Sequence, residues 1–358
     1  MLTILAFIIA FFFAMNIGGS GAAASMGIAY GAGAIPKKRI ALLICGVCVF
    51  LGAVLGGGEV VKTIGSGIVP PQTFSVKVVV IVLFAATMTL FLANLLGIPL
   101  STSEVTVGSV IGVGIAFRSL YTTKIIWIIS FWIIVPFIAF FFAFIIGKGI
   151  LRLEKKYATF FQGKWEKMWM IILVGTGCFE AFSAGMNNVA NSVGPLVGAN
   201  LLTIAEGTLY GGLFVAFGAF LFGSRVMETN GKKITDISLL QGSAISTTGG
   251  LLVVIASIFG IPVPLTQVTT SGILGIGVAK QGFSMWQKGI VHTMLKVWIV
   301  SPVLSAVIAY ALVKGWLDTD FYTVIILCGV CIATIGSISL MKTMRKERSS
   351  IYEQGGGI

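Results

Sequence analysis

Two stretches of the sequence decide the fold: GIPLSTSEVTVGSVIGVG at residues 97–114 and GIPVPLTQVTTSGILGIG at residues 260–277. Aligned without gaps, seven of their eighteen positions are identical, and Thr106 pairs with Thr269. Each stretch joins a Gly-Ile-Pro break to hydroxyl residues inside an otherwise apolar part of the chain. A break that occurs twice in this form indicates two homologous halves.

Two further blocks support the duplication. The segment WIIVP at 132–136 matches WIVSP at 298–302, and GGSGAAASMG at 18–27 falls opposite GMNNVANSVG at 185–194. The three blocks are offset by 163 to 167 residues. The predicted divisions are a first membrane repeat at 1–150, a basic cytoplasmic linker at 151–167, a second membrane repeat at 168–341 and a basic cytoplasmic tail at 342–358.

The composition predicts an integral membrane protein. Of 358 residues, 57% are hydrophobic and 10% are charged, and the mean hydropathy is +1.03. A soluble chain carries roughly a quarter charged residues. No charged residue occurs in 1–36, in 78–103 or in 237–279, whereas a spanning helix needs only about 20 apolar residues. We therefore expect a multi-pass protein of the cell (cytoplasmic) membrane in contact with the lipid bilayer.

The distribution of charge predicts the orientation of the two halves. The net charge is +12, but the basic residues lie in short loops, as the positive-inside rule describes, so a nucleic-acid partner is not expected. Corresponding loops of the halves have opposite charge bias: Lys37–Arg39 against Glu206, and Glu59 against Lys232 and Lys233. The predicted fold is an all-α membrane protein with two inverted-topology repeats of transmembrane helices, each with a broken Gly-rich helix and a re-entrant helical hairpin. The number of crossings stays open, as does a homodimer.

The hydroxyl residues that follow each Gly-Ile-Pro break are candidates for binding an anion. Proline breaks one helix, and the free N–H groups at the start of the next helix form an anion site to which hydroxyls add donors without charge. The alternative is that these hydroxyls bond back to helix carbonyls. The candidate binding residues of these two blocks are Ser101, Thr102, Ser103, Thr266, Gln267 and Thr269.

An Asn-rich block gives the second set of candidates. Asn187 and Asn191 are four residues apart and share a helix face, and Asn188 lies between them. In the aligned first half, Ser20 and Gly21 occupy the positions of Asn187 and Asn188. Unpaired amides in lipid are costly, so these side chains either bond to another helix or line a polar cavity; both interpretations stay open.

Glu104 is the candidate for proton coupling, because a carboxylate inside a membrane hairpin is costly and indicates a functional site. Glu180 is a weaker candidate that could be a buried structural residue. Lys296 could snorkel, pair or attract the anion, and His292 is expected on a helix surface. With no catalytic set, metal spacing or cofactor loop, the sequence predicts neither an enzyme nor a metal or cofactor site. A channel is the alternative to a transporter.

The motifs resemble those of the inorganic phosphate transporter (PiT) family. GMNNVANSVGP is similar to the family signature GANDVANxxGP, and the two Gly-Ile-Pro blocks resemble its paired hairpins. The resemblance covers nearly the whole chain. It implies inverted repeats, re-entrant hairpins, secondary active transport and an oxyanion substrate held at the hairpin tips.

The departures from the family pattern indicate a subgroup. The signature Asp, which the family associates with sodium coupling, is replaced by Gly21 and Asn188, and Glu104 stands at the usual His or Gln position. With NIGGSGAAASMG and PLSTSEVT, these changes resemble the CysP-type sulfate permeases within the family. We therefore expect sulfate import by proton symport, with Na⁺ as the other coupling ion to consider. A sodium- or proton-coupled phosphate transporter is the alternative.

Overall fold

A computed structural model describes residues 1–95, 100–157, 163–233, 237–282 and 289–330. The predicted Gly-Ile-Pro break at 97–99 and the basic tail at 342–358 lie outside the described residues, and the side chains of His292 and Lys296 are not described. The chain divides into two compact units, Met1–Ala309 and Tyr310–Ile358. All the candidate residues belong to the first unit.

The described residues are helical and contain no strand. The helices of the first half are α1 (Leu2–Ser20), α2 (Gly27–Gly31), α3 (Lys38–Gly56), α4 (Gly58–Lys62), α5 (Val76–Leu95), α6 (Thr102–Ala116) and α7 (Thr122–Lys156). Those of the second half are α8 (Glu166–Gly198), α9 (Ile204–Phe222), α10 (Ser224–Lys233), α11 (Leu239–Ile258), α12 (Leu265–Gln281) and α13 (Gly289–Leu312). In the second unit, the end of α13 is followed by a short π-helix, Val313–Leu317. Lys314 of this π-helix pairs with Asp318, the next residue after it, at 2.7 Å.

Seven helices within the described residues are long and apolar enough to cross a membrane. Outer helices expose large apolar side chains, among them Phe137, Phe141 and Ile145 of α7. These three residues are spaced by four and form one stripe of the helix, as a lipid-facing surface requires. By contrast, α6 is buried on all sides from Thr102 to Val110. The all-α membrane fold is thus confirmed.

Each half contains a helical hairpin, as predicted. In the first half α5 packs on α6, and in the second half α11 packs on α12. The predicted break of a Gly-rich helix is present in the first half, where α1 ends at Ser20 and a 3-10 segment, Ala22–Met26, precedes α2. In the second half this prediction is wrong, because α8 runs without interruption from Glu166 to Gly198. The corresponding segment of α8 has single, separated glycines and Asn side chains that bond to other elements, so its helix is retained.

Glycines bring the two halves into close contact in matching pairs. Gly18 of α1 lies against the backbone of Val215 in α9, and Gly185 of α8 lies against the backbone of Val49 in α3. In the alignment of the two halves, α1 corresponds to α8 and α3 corresponds to α9. The contact of α1 with α9 is therefore the counterpart of the contact of α8 with α3. Small residues allow such close approach of helices in lipid.

The hairpin helices show the same exchange. Gly112 of α6 lies against Ala306 of α13, and Gly275 of α12 lies against Phe140 of α7. Gly112 aligns with Gly275 and Phe140 aligns with Ala306, so these two contacts are also counterparts of each other in the two halves. Since the structure contains no membrane, the opposite orientation of the two repeats stays a prediction.

A pair of glycine substitutions in α8 tests these contacts. A Cβ on Gly185 would overlap the carbonyl oxygen of Val49, whereas a Cβ on Gly175 would meet nothing within 4 Å. We expect Gly185→Ala to destabilise the protein by about 1–3 kcal/mol, as overpacking does. Gly175→Ala removes a helix-destabilising glycine and is expected to leave stability unchanged or to raise it by up to about 1 kcal/mol.

The measurement is the thermal unfolding midpoint of the purified variants in detergent. Equal midpoints for the two variants would contradict the close contact between α8 and α3.

Candidate functional site

The start of α6 is buried and has no side-chain cap. Ser101 occupies the cap position with an extended backbone, and its side chain makes no capping hydrogen bond. Ser101, Thr102 and Ser103 are 5%, 6% and 0% exposed. The first N–H groups of a helix have no partner in their own helix, and they carry the positive end of the helix dipole. The hairpin tip therefore presents a buried, electropositive helix start.

The start of α12 is built in the same way. Pro264 occupies the cap position without a side-chain cap, and its carbonyl accepts hydrogen bonds from the N–H groups of Gln267 at 2.9 Å and Val268 at 3.2 Å. Leu265 and Gln267 are buried, and Thr266 is partly exposed. The N–H groups of Leu265 and Thr266 belong to the uncapped first turn.

Asn187 of α8 holds the tip of the second hairpin. Its Nδ2 donates to the Ser257 hydroxyl at 2.9 Å and to the Ile261 carbonyl at 3.0 Å, and its Oδ1 accepts from the Val263 N–H at 3.0 Å. The amide thus uses both N–H groups and its oxygen on the turn between α11 and α12. Trp132 of α7 supports the same turn, because its Nε1 donates to the Pro262 carbonyl at 2.8 Å.

Asn191 lies one turn further along α8 and contacts the tip of the first hairpin. Its Nδ2 donates to the hydroxyls of Thr102 at 3.3 Å and Ser103 at 3.2 Å. Ser103 in turn donates to the Val263 carbonyl at 3.2 Å, which joins the two tips directly. One face of α8 therefore holds both hairpin tips.

Asn188 differs from its neighbours on α8. It is 3% exposed, and no side-chain partner is found for it in the part of the chain that the structure describes. A Cβ on Gly21 would lie 3.6 Å from its Nδ2. The residues that replace the two signature Asp residues thus face each other, where α1 is interrupted.

Glu104 is 1% exposed and lies where the two hairpins meet. Its Oε1 accepts a hydrogen bond from the Gln267 amide of α12, and its Oε2 accepts one from the Ser301 hydroxyl of α13. Glu104 and Gln267 occupy the same position of the two aligned blocks. Each of the three ion pairs found in the described residues lies elsewhere, so Glu104 has no cationic partner there.

Some predicted site residues take part in other contacts. The Ser20 hydroxyl donates to the Asn16 carbonyl one turn earlier at 2.7 Å, which is the back-bonding alternative raised from the sequence. Thr269 donates to the carboxyl group of Glu180 at 2.7 Å, so its hydroxyl is directed away from Glu104. The structure therefore brings Ser101–Glu104, Gln267, Asn187 and Asn191 together and places Thr269 in a neighbouring cluster.

Ser301 was not predicted as a site residue from the sequence. It is the polar residue in WIVSP that replaces Val135 of the matching WIIVP segment, and it is 1% exposed. A single polar exchange inside a repeated apolar block was the signal that could have identified it.

We call the cluster of Ser101–Glu104, Gln267, Asn187 and Asn191 the polar centre. Each of its residues is at most 6% exposed, so the polar centre is closed to solvent. A separate cavity of about 900 Å³ lies beside the second hairpin; half of its lining residues, including Lys124, belong to the start of α7. None of the predicted site residues lines this cavity. An anion at the helix starts would therefore be enclosed by protein.

Residues 17–309 match the sequence profile of the phosphate transporter family. The chain is 57% identical over 355 residues to the sulfate permease CysP of Bacillus subtilis, covering 99% of both chains. It is 28% identical to a putative phosphate permease of Pyrococcus horikoshii, covering 87% of this chain and 97% of that protein.

A solved structure titled "The sodium-dependent phosphate transporter" matches this fold with a TM-score of 0.76 at 25% identity. The match covers 87% of this chain and 97% of the solved chain. These relatives are transporters, which points away from an enzyme and, with the seven apolar helices, to a multi-pass membrane protein. With a family profile matched over most of its length, the chain belongs to the phosphate transporter family.

Proposed function

We propose that this chain is a secondary active transporter that imports sulfate together with protons across the cytoplasmic membrane. The anion binds between the starts of α6 and α12, where hydroxyl and backbone donors converge. The observation that carries this proposal is the pair of uncapped, buried helix starts, joined by the hydrogen bond from Ser103 to Val263.

The chemistry of the donors favours sulfate. Sulfate carries no proton near neutral pH, so it needs donors alone, whereas a protonated phosphate also benefits from a carboxylate acceptor. Gly21 and Asn188 stand where the family signature has Asp, so these positions hold no acceptor carboxylate. The near full-length similarity to a sulfate permease agrees with this assignment.

Coupling to protons rests on Glu104. A buried carboxylate without a cationic partner is costly in a membrane, and an anion beside it adds repulsion. A protonated Glu104 removes both costs. In the described part of the chain, the Oε1 of Gln267 has no hydrogen-bond partner, and rotation about the last side-chain bond exchanges the positions of the amide oxygen and nitrogen. The O–H of Glu104 then donates to that oxygen, while Nε2 of Gln267 turns to the anion, so proton and sulfate bind together.

The enclosed centre fits alternating access. Transporters with internal repeats bind substrate near the bilayer midplane and open the site to one side at a time by moving one repeat against the other. The matching glycine contacts described above supply two similar surfaces on which such a movement can occur. In this scheme the described arrangement is a closed intermediate.

A phosphate transporter is the second candidate. It is favoured by the relatives named as putative phosphate permeases and by the fold match to a sodium-dependent phosphate transporter.

Uptake of labelled sulfate and labelled phosphate into proteoliposomes, each under a proton or a sodium gradient, distinguishes the two candidates. We expect accumulation of sulfate against its gradient, driven by protons, because the site offers donors and one protonatable carboxyl. Accumulation of phosphate alone would overturn the assignment of sulfate. Only downhill movement of either anion would indicate a channel.

The same assay tests the role of Glu104. Glu104→Gln keeps an N–H that can donate to Gln267, but its side chain neither binds nor releases a proton near neutral pH. We expect it to abolish proton-driven uptake, while exchange of labelled for unlabelled sulfate continues. Full concentrative uptake by this variant would end the proposed coupling.

Variants of the adjacent residues Asn187 and Asn188 distinguish a side chain that positions the second hairpin from one that contacts the substrate. Asn187→Ala leaves the buried Val263 N–H without a partner, which costs about 1–3 kcal/mol, so we expect lower thermal stability as well as lower transport. Asn188→Ala removes no hydrogen bond within the described residues, so we expect transport to fall while the unfolding midpoint changes little. The same loss of stability in both variants would contradict this division of roles.

A further inference from the structure

A second buried carboxyl group lies away from the centre. Glu180 of α8 is 1% exposed. Its Oε1 accepts the hydrogen bond from Thr269 of α12 at 2.7 Å, whereas its Oε2 is buried and has no partner among the residues that the structure describes. The proposed transport cycle does not yet use this group.

Three helices enclose this carboxyl. Ser246 of α11 is 1% exposed and neighbours the Glu180 side chain, and within the described ranges its hydroxyl makes no hydrogen bond of ordinary geometry. At Gly249, α11 presents backbone instead of a side chain: a Cβ there would lie 3.7 Å from Oε1 of Glu180 and 3.9 Å from the Thr269 hydroxyl. The cluster therefore contains two buried oxygen atoms on neighbouring side chains, Oε2 of Glu180 and Oγ of Ser246, that have no hydrogen-bond partner among the described residues.

The fold does not require a polar cluster at this place. In the aligned first half, the position of Glu180 is Phe13 and that of Ser246 is Leu83, and both are 0% exposed. The first half thus fills the equivalent volume with hydrocarbon. Because a buried polar group costs stability unless it is paired, the polar residues of the second half point to a functional role.

Among the residues that the structure describes around Glu180, none offers a positive charge to balance an ionised carboxylate. Neither α11 nor α1 contains an ionisable residue, and Lys280 of α12 is eleven residues beyond Thr269. On α3, Cys45 is an uncharged thiol in the neighbourhood of Glu180, and Cys178 is the nearest ionisable residue along α8 itself. None of these groups supplies a cation, so the neutral carboxyl is the form that fits.

Glu180 lies on the same face of α8 as the asparagine that holds the second hairpin tip. It precedes Asn187 by seven residues, which places it about 10 Å along α8 on the same helix face. On α12, Thr269 follows Gln267 by two residues. Glu180 therefore lies about two turns from the hairpin tips, toward the end of α8 that begins at Glu166 and follows the basic linker.

We propose that Glu180, Ser246 and Thr269 form a second proton-binding site, between the sulfate site and the cytoplasm, which accepts the proton that Glu104 releases. The inference rests on the proposed proton symport and on the cytoplasmic placement of the linker. From the neutral form, the O–H bond at Oε2 of Glu180 breaks and its proton passes to cytoplasmic water. The O–H bond of Glu104 then breaks, and its proton forms a new O–H bond at Oε2 of Glu180, which restores the neutral carboxyl. This O–H donates to the Ser246 oxygen, while Oε1 keeps its bond from Thr269.

A proton fits this cluster better than a metal ion. The cluster offers one carboxylate and two hydroxyls, while the backbone carbonyls nearby belong to the continuous helices α8, α11 and α12. Three side chains are too few to replace the oxygen shell of a cation, which typically has six or more ligands for ions such as Ca²⁺. A proton needs only one acceptor and one hydrogen-bond partner.

Infrared difference spectroscopy of the purified full-length protein in lipid tests the site without transport. Glu180→Gln is expected to remove one C=O stretching band of a neutral carboxyl that wild type shows at neutral pH. Glu104→Gln serves to assign the other buried carboxyl. Glu154→Gln is the matched control, because this carboxylate lies at the end of α7 and accepts bonds from Ser238 and Gln241; we expect it to leave the neutral carboxyl bands unchanged.

Loss of only carboxylate bands in Glu180→Gln would show that Glu180 is ionised and would overturn the proposal. Disappearance of the neutral band on addition of Na⁺ to wild type would also overturn it, in favour of a cation site. Ser246→Ala retains Glu180 and covers the case in which Glu180→Gln does not fold; it is expected to shift the Glu180 band, and an unshifted band contradicts the proposed contact.

Transport by the same variants tests the relay. We expect Glu180→Gln to lower proton-driven sulfate uptake about tenfold or more, in line with the loss of a proton-transfer group, while sulfate exchange continues. If Glu180→Gln takes up sulfate at the wild-type rate, the relay is wrong. If the infrared bands behave as expected but wild type moves no protons, the proposed symport is wrong and the proton-binding site stands.

Discussion

The fold depends on one constraint: inside a membrane, backbone N–H and C=O groups need partners within the protein, and a buried polar side chain without a partner is costly. The face of α8 that carries Asn187 and Asn191 meets this constraint for both hairpins, because each asparagine holds one tip. The tips are in turn joined by the bond from Ser103 to Val263. With the tips fixed in this way, the uncapped starts of α6 and α12 are held close to each other, and no basic side chain is needed to create a site for an anion.

The two halves have the same arrangement of helices, but side chains at some aligned positions differ in polarity, and these positions lie at the proposed functional sites. Glu104 and Gln267 occupy aligned positions and contact each other, and Gly21 and Asn188, also aligned, face each other. At a third aligned position, Phe13 of the first half corresponds to Glu180 of the second half. The exchange of a carboxyl for an amide or a hydrocarbon leaves the packing similar and gives each half different proton chemistry. A duplicated fold can in this way place one protonatable group at the centre and another toward one side.

Much of the fold and part of the site could be predicted from the sequence. The repeated Gly-Ile-Pro blocks predicted the hairpins, and the cost of amides in lipid predicted that Asn187 and Asn191 bond to another element or line a cavity. The continuity of α8 could not be predicted, because it depends on which tertiary partners those amides find. The contact of Ser301 with Glu104 depends on the packing of α13 on α6, which local sequence does not encode. The unpaired Asn188 is likewise a consequence of its position opposite the break in α1.

The central claim is that the anion lies between the starts of α6 and α12. An X-ray structure with selenate, which has the shape and charge of sulfate and scatters anomalously, tests it most directly. The account predicts one anomalous peak within hydrogen-bonding distance of the first-turn N–H groups of both helices, beside Thr102 and Gln267. A peak at another place, such as the cavity beside Lys124, with none at the helix starts, would contradict it.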